Sequence, residues 1–235
     1  MNEFSVDVKN VSKMFKLETN SFRKTSKTIK VLDNISFSVK KGEMLGIIGL
    51  NGSGKTTLLR IISGIYKPDT GSIKINGKLA PIIHIGTGFH EELKPAENIT
   101  IYGMLLGLSK QEITEKIPEI LQFAELEKFA DSKIKHFSAG MKARLSFSTV
   151  LQINPDILLV DEILAVGDRL FREKSFNEFL KFKKNGKTIL YTTHNLEKIS
   201  ELSDRVLLIH KGKMQKIGDP KQVIEEYEKI TANKM

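Results

Sequence analysis

Gly49, Leu50, Asn51, Gly52, Ser53, Gly54, Lys55, Thr56 and Thr57 follow one another in the order of a phosphate-binding loop, G-x-x-x-x-G-K-[ST]. The three glycines let the backbone curl until several N–H groups converge on phosphate oxygens. A helix starting at the same place adds partial positive charge. Lys55 suits the β- and γ-phosphates of a nucleotide, and the Thr56 hydroxyl suits Mg²⁺. A glycine- and serine-rich connection between a strand and a helix would use similar residues. The flanks favour the phosphate loop: Met44-Leu-Gly-Ile-Ile48 reads as a buried strand, and Thr56-Thr-Leu-Leu-Arg-Ile-Ile62 has helical periodicity.

Further chemical residues stand at the ends of other apolar runs. Ile157-Leu-Leu-Val160 leads into Asp161 and Glu162. In an open α/β sheet, ligands gather at the carboxyl ends of strands. Asp161 suits Mg²⁺, directly or through water, and Glu162 suits polarising an attacking water. Alone, the pair would equally be the acidic start of a helix. His194, in Thr192-Thr193-His194-Asn195, closes another apolar run. There it can hydrogen-bond a γ-phosphate and hold the water and Glu162 in line. His84, His90, His136 and His210 have no such place and read as structural or surface residues. Ser138, Ala139, Gly140 and Met141 open a helix running toward Gln152, with Ser138 as N-cap and approachable N–H groups behind it. That is a second anion site, far along the chain from Lys55. By itself it is only a capped helix. A head-to-tail dimer would let Ser138 of one copy face the phosphates held by Lys55 of the other.

The elements that must position these residues are of two kinds. Residues 4–8 and 31–39 alternate in polarity and read as strands, with a polar, basic loop or hairpin tip over 18–30. Residues 71–77 and 80–85 read as short strands. From about Pro95 to Gln152 the chain turns helical, and Pro118 is expected to kink or bound a helix. Apolar runs at 156–160, 188–192 and 205–209 suit buried parallel strands, with a helix over 171–184 between the first two. The expected fold class is α/β with a helical insert, and no internal repeat or low-complexity tract interrupts it.

Composition narrows the function classes. The chain has 235 residues, 40% of them hydrophobic, enough for one large domain or a domain with a subdomain. It has no cysteine, which excludes disulfides, thiol catalysis and cysteine-based metal sites. The first residues lack the pattern of a secretory signal. The longest nearly apolar stretch, residues 101–108, is far too short to span a bilayer. The net charge of +9 comes from dispersed lysines and arginines without interleaved aromatics. That reads as solvated faces and no specific nucleic-acid site, and it also suits a cytoplasmic membrane surface.

Taken together, these motifs resemble the nucleotide-binding subunit of an ABC transporter over nearly the whole chain. Residues 49–56 resemble the Walker A motif and 157–161 the Walker B. Glu162 matches the catalytic glutamate, Asp168 the D-loop aspartate and His194 the switch histidine. Ser138-Ala139-Gly140-Met141 stands where the signature motif is usual. Phe15 matches the aromatic that stacks on adenine; tyrosine is the usual residue, and phenylalanine keeps the π-face. The resemblance implies a P-loop (RecA-like) core over 1–88 and 154–235, an N-terminal antiparallel β subdomain, and a helical subdomain over 89–153. It implies ATP and Mg²⁺ as cofactors and a homodimer with two ATP at its interface. It also implies an ABC-2-type integral membrane permease as partner, at the cytoplasmic face of the cell membrane.

Where the Q-loop glutamine is usual, near Ile85, there is none. The run Gly86-Thr-Gly-Phe-His-Glu-Glu-Leu93 and Asp161-Glu-Ile-Leu-Ala-Val-Gly-Asp168 are similar to exporters of polysaccharide, O-antigen and teichoic acid. The short type, without a C-terminal carbohydrate-binding domain, is the expected match. Residues 85–98 are expected to help form the groove that receives the permease, with Phe89 and Leu93 exposed. Two other classes stay open: an ABC-2-type exporter of drugs or lipids, and a non-transport ABC ATPase acting on DNA or the ribosome.

Overall fold

The computed structural model describes residues 3–17, 27–83, 89–161 and 168–232. Alternating apolar residues build its first sheet. β1 (Phe4–Leu17) and β2 (Lys27–Lys40) form a long antiparallel pair. Val6 and Val8 on β1, and Ile35, Phe37 and Val39 on β2, are buried in it at the period of two that strands require. The register shifts between Val8 and Val11. Asn10 sits in that bulge with φ 52°, a left-handed value that asparagine tolerates. Its N–H donates to Ser36 Oγ at 2.8 Å, and Ser36 Oγ donates to Asn10 Oδ1 at 2.9 Å, which secures the bulge. β4 (Thr70–Ile75) adds to the other edge of β1, giving the order β2-β1-β4.

A second set of strands is nearly all apolar. Every residue of β3 (Met44–Ile48) and β7 (Thr188–Thr192) is buried. β3 lies between β7 and β8 (Arg205–His210), parallel to both, as strands covered on two faces tend to be. β9 (Lys213–Gly218) returns antiparallel along β8. Their two-residue connection has φ 48° at Lys211 and 75° at Gly212, both left-handed, as a tight hairpin turn demands. With α1 (Lys55–Ile62), α6 (Leu196–Leu202) and α7 (Pro220–Ala232), these strands belong to one compact unit, Met1–Asn76 and Thr188–Met235.

The other compact unit is Gly77–Lys187. It holds the parallel pair β5 (Leu79–Ile82) and β6 (Ile157–Val160), and the helices α2 (Pro95–Leu105), α3 (Lys110–Ala124), α4 (Ala139–Ile153) and α5 (Arg169–Lys184). Its core gathers Ile99, Ile113, Ile120, Leu121, Ala124, Leu126, Ile134, Phe137 and Leu145. A Cβ on Gly103 would stand 2.5 Å from Ile113 Cγ1, so this glycine sets the close approach of α2 and α3. A capping box opens α3: Ser109 Oγ accepts from Glu112 N–H at 3.2 Å, and the Glu112 carboxylate accepts from Ser109 N–H at 2.8 Å. Pro118 does not end this helix, as the sequence had suggested it could. α3 continues to Ala124 because Ile120, Leu121 and Ala124 bury themselves in the core beyond the proline. Contact density thus groups β5, β6 and α5 with the helices of residues 89–153.

The fold class is α/β, with an antiparallel sheet, parallel strands and a helical region.

Candidate nucleotide site

β3 delivers the chain into the glycine loop, and each glycine there has a stated reason. Gly49 has φ 154°, and a Cβ on it would stand 2.1 Å from Ile209 O and 2.7 Å from Ser53 Oγ. Gly54 has φ 107°, and its Cβ would stand 2.9 Å from Val31 O. A Cβ on Gly52, at φ 75°, would meet nothing within 4 Å among the described residues, so its requirement is conformational. The loop is tied down by Ser53 N–H to Leu50 O at 3.1 Å and by Gly212 N–H to Ser53 O at 3.1 Å. Lys55 Nζ donates to Gly49 O at 2.7 Å and to Leu50 O at 3.2 Å, which holds the ammonium over the loop.

The start of α1 fits a phosphate group. Its first intrahelical bond runs from Leu58 N–H to Gly54 O at 2.9 Å, so the amides of the first turn face the loop. No acidic residue lies in that turn, and Gly54 caps the helix without a side chain. The positive end of α1 is therefore not neutralised by a carboxylate of its own first turn. Thr56, half-buried, places its hydroxyl on that turn beside Thr57.

The strand register brings His194 to the same end of the sheet. Ile47 of β3 pairs with Thr192 of β7, so Gly49 and His194 each lie two residues beyond a shared rung. His194 is exposed. Asn195, next to it, caps α6 by accepting from Lys198 N–H at 3.0 Å. Phe15, half-buried near the end of β1, meets Tyr66 edge-on with centroids 5.5 Å apart. Lys13 Nζ stands 5.5 Å from the Phe15 centroid and bonds Asp69 at 2.9 Å. That bond holds the Asp69 carboxyl below the usual aspartate range.

The remaining candidates belong to the other compact unit. Asp161 directly follows β6, and its N–H donates to Ile82 O at 3.2 Å, so it stands at the carboxyl end of a buried strand. Ser138 is exposed and caps α4 by accepting from Met141 N–H at 3.1 Å. Among the described residues a Cβ on Gly140 would find only Ser138 Oγ, at 3.8 Å, so none of them demands glycine there. Ala139 is exposed, and Met141 packs partly against the helical core. Asp168 caps α5, accepting from Phe171 N–H at 2.9 Å, and that bond holds its carboxyl below the usual aspartate range. Glu162 lies outside the described residues, as does Ile85. Among the described residues no three His, Cys, Asp or Glu side chains gather to hold a metal ion. Thr56 in one unit offers a hydroxyl and Asp161 in the other a carboxylate, each an oxygen ligand of the kind a hard cation such as Mg²⁺ takes.

Comparison with known proteins decides the family. The family model described as ABC transporter matches residues 32–165, more than half of the chain. The chain belongs to the ABC transporter family. It is 41% identical over 201 residues to the O-antigen export system ATP-binding protein RfbB of Klebsiella pneumoniae, covering 86% of this chain and 82% of that protein. It is 38% identical over 236 residues to the teichoic acids export ATP-binding protein TagH of Bacillus anthracis, covering 97% of this chain but only 43% of that protein. The chain thus spans less than half of that relative's length. Among solved structures, an ATP-binding subunit of an ABC transporter superposes with a TM-score of 0.77 at 27% identity, covering 95% of this chain and 93% of that one. A dimeric ATP-binding cassette in a post-hydrolysis state with ADP and Pi superposes with a TM-score of 0.76 at 26% identity, covering 92% and 98%.

Within this ABC cassette, sequence reasoning missed residues that act at a distance. Asn98, 2% exposed, accepts from His90 N–H at 2.7 Å and donates to His90 O at 3.0 Å and Lys94 O at 3.2 Å. It clamps the segment that follows the Q-loop position. Its place one residue after Glu97 gave no sign of this. Phe89 and Leu93, expected to be exposed, are half-buried; Phe89 meets Tyr102 edge-on at 6.0 Å and packs against the helical core. Tyr66 gave no signal either, because its contact with Phe15 joins distant parts of the sequence. No helix among the described residues is long and apolar enough to cross a membrane.

Proposed function

We propose that this chain binds and hydrolyses ATP as the nucleotide-binding subunit of an exporter of a lipid-linked polysaccharide, O-antigen or teichoic-acid-like polymer. The observation that carries the ATP reading is the loop between β3 and α1. It combines three positionally required glycines, Lys55 held over the loop, and a helix start free of first-turn acids. The substrate class rests on the relatives, two of which are named for O-antigen and teichoic acid export.

In this reading the loop amides and Lys55 bind the phosphates, and Phe15 stacks on the adenine. Mg²⁺, held by Thr56 and Asp161, neutralises phosphate charge when bound. Glu162 takes a proton from the attacking water, and His194 orients that water and the γ-phosphate. Ser138, Ala139, Gly140 and Met141 of one copy close over the phosphates on the other, with Asp168 beside them, so that a homodimer shares two ATP. A separate ABC-2-type membrane permease carries the polymer, and the segment 85–98 faces it at the cytoplasmic side of the membrane.

The test uses native membranes. The chain should co-purify with a polytopic membrane protein from detergent extracts, and cells carrying only Lys55→Ala should lose the polymer from their surface. Retention of the polymer would refute the export reading. Co-sedimentation with ribosomes or DNA after a salt wash would favour the non-transport class.

A further inference from the structure

Tyr191 is fully buried on β7, three residues before His194, and its hydroxyl does not stay within its own strand. It is 2.7 Å from Ser203 Oγ, at the C-terminal end of α6, and donates to Lys198 O at 3.4 Å within that helix. Burial pushes the Tyr191 phenol up to about 12, so at neutral pH it keeps the proton this bonding uses. Between Tyr191 and Lys198 lie only Thr192, Thr193, His194, Asn195, Leu196 and Glu197. Asn195 closes the far side, accepting from Lys198 N–H at 3.0 Å and donating its own N–H to Thr193 Oγ1 at 3.2 Å. The histidine thus sits on a short arch whose two feet, β7 and α6, are bolted together through one phenol.

The same bolt reaches the phosphate-loop strand. A Cβ on Gly46 of β3 would stand 2.6 Å from Ile199 Cδ1 and 2.6 Å from Ser203 Oγ, so glycine there lets α6 lie directly on β3. Asp204, next along, accepts from Met44 N–H at 2.8 Å and donates its N–H to Met44 O at 2.9 Å. α6 is therefore fixed against both strands whose carboxyl ends carry Gly49 and His194.

We infer that Tyr191, through Ser203, is a positioning residue for His194. It sets where the exposed imidazole stands relative to the phosphate loop, and it touches neither nucleotide nor water itself. This rests on the proposed role of His194. The backbone that carries His194 is held at both feet by this bonding, and turnover is sensitive to small displacements of an orienting group.

The fold supplies its own control. Ser5 Oγ and Thr188 Oγ1 lie 2.9 Å apart, a buried hydroxyl pair at the opposite end of the same strand β7. Tyr191→Phe, Ser203→Ala and Ser5→Ala each remove one hydrogen-bonded hydroxyl from the chain. The experiment measures ATPase kcat and KM, melting temperature, and the ring signal of His194 by nitrogen-15 NMR. Tyr191→Phe and Ser203→Ala should each lower kcat about fivefold, the factor of one lost neutral hydrogen bond, with KM for ATP unchanged. Both should shift the His194 signal. Ser5→Ala should lower the melting temperature and change neither kcat nor that signal. If Tyr191→Phe melts lower but keeps kcat and the His194 signal, or if Ser5→Ala lowers kcat equally, Tyr191 is only a structural residue. His194→Ala separates the two failures. Wild-type turnover in that variant removes the role of His194 and the inference with it, whereas an inactive His194→Ala beside a fully active Tyr191→Phe removes the inference alone.

Discussion

Ser138 carries two roles that one substitution can separate. Its Oγ accepts the Met141 N–H at 3.1 Å and so caps α4. Its proposed second role is to face a γ-phosphate held by the other copy. Ser138→Ala removes the cap, at a cost of about 1 kcal/mol. For a chain of this size that lowers the melting temperature by about 2–4 °C. Ser138→Asp keeps a capping oxygen and adds a negative charge at the positive end of the helix, so stability should match or exceed the parent. In a shared site, however, that carboxylate meets a phosphate. Two like charges about 4 Å apart at an effective dielectric near 20 repel by about 4 kcal/mol. That weakens ATP-driven association about a thousandfold per site. Ser138 is exposed and, among the described residues, a Cβ on Gly140 would find only Ser138 Oγ, so no packing change should confuse the result. The assay is sedimentation velocity with Mg-ATP in a Glu162→Gln background, beside thermal melts of each single variant. If Ser138→Asp dimerises as well as its parent, the shared site is refuted. If it melts as low as Ser138→Ala, the cap argument is refuted.

Three further outcomes are expected. Lys55→Ala should weaken ATP binding about a hundredfold, equivalent to about 3 kcal/mol for charge-assisted contacts to phosphate, and calorimetric titration with ATP measures it. Glu162→Gln should keep ATP affinity and lower turnover about 10²- to 10⁴-fold, because an amide cannot take a proton from water; phosphate release under saturating ATP decides this. The Phe171 N–H holds the Asp168 carboxyl below the usual aspartate value of 3.8 in the folded chain. Its stabilising contribution is therefore fully present above that value and is lost as pH falls through the lower folded one. Asp168→Asn keeps a capping oxygen without the titration, so its melting temperature should fall less steeply than the parent's on acidification, and identical slopes would dismiss the carboxylate's part.

The parts of the site legible in sequence are those whose cause is local. The phosphate loop announces itself because glycine, lysine and threonine must follow one another within a single turn of chain. β6 and β7 are equally plain, being short apolar runs with a polar residue just past the end, and that residue is Asp161 or lies next to His194. What the sequence hid comes from distant partners. Gly49 is glycine because Ile209 O stands where its Cβ would be, and Ser53 O is held by Gly212 N–H; both partners lie on or beside the β8–β9 hairpin. That Pro118 does not bound its helix was hidden for the same reason, since a local rule against proline in helices competes with burial of Ile120 and Leu121, which only the packed unit displays. The Asn98 clamp and the Phe15–Tyr66 pair also depend on contacts that no local pattern encodes.

One regularity explains why the family motifs are hard to weigh by residue type alone. Ser138, Asp168 and Asn195 are the N-caps of α4, α5 and α6, each accepting from the N–H three residues on. Helix starts select serine, aspartate and asparagine with no help from function. Presence of the right residue at these positions is therefore weak evidence for chemistry, however well it fits a motif. The backbone around them is better evidence. Among the described residues nothing packs closely enough on Gly140 to require glycine, and the Asn195 cap closes a connection of only three residues carrying an exposed histidine. A cap needs neither feature. Both features fit the roles proposed for Ser138 and His194. Cap-preserving exchanges such as Ser138→Asp and Asp168→Asn keep the structural role and change only charge, so any loss of ATP-driven association or turnover they cause belongs to the chemistry and not to the helix.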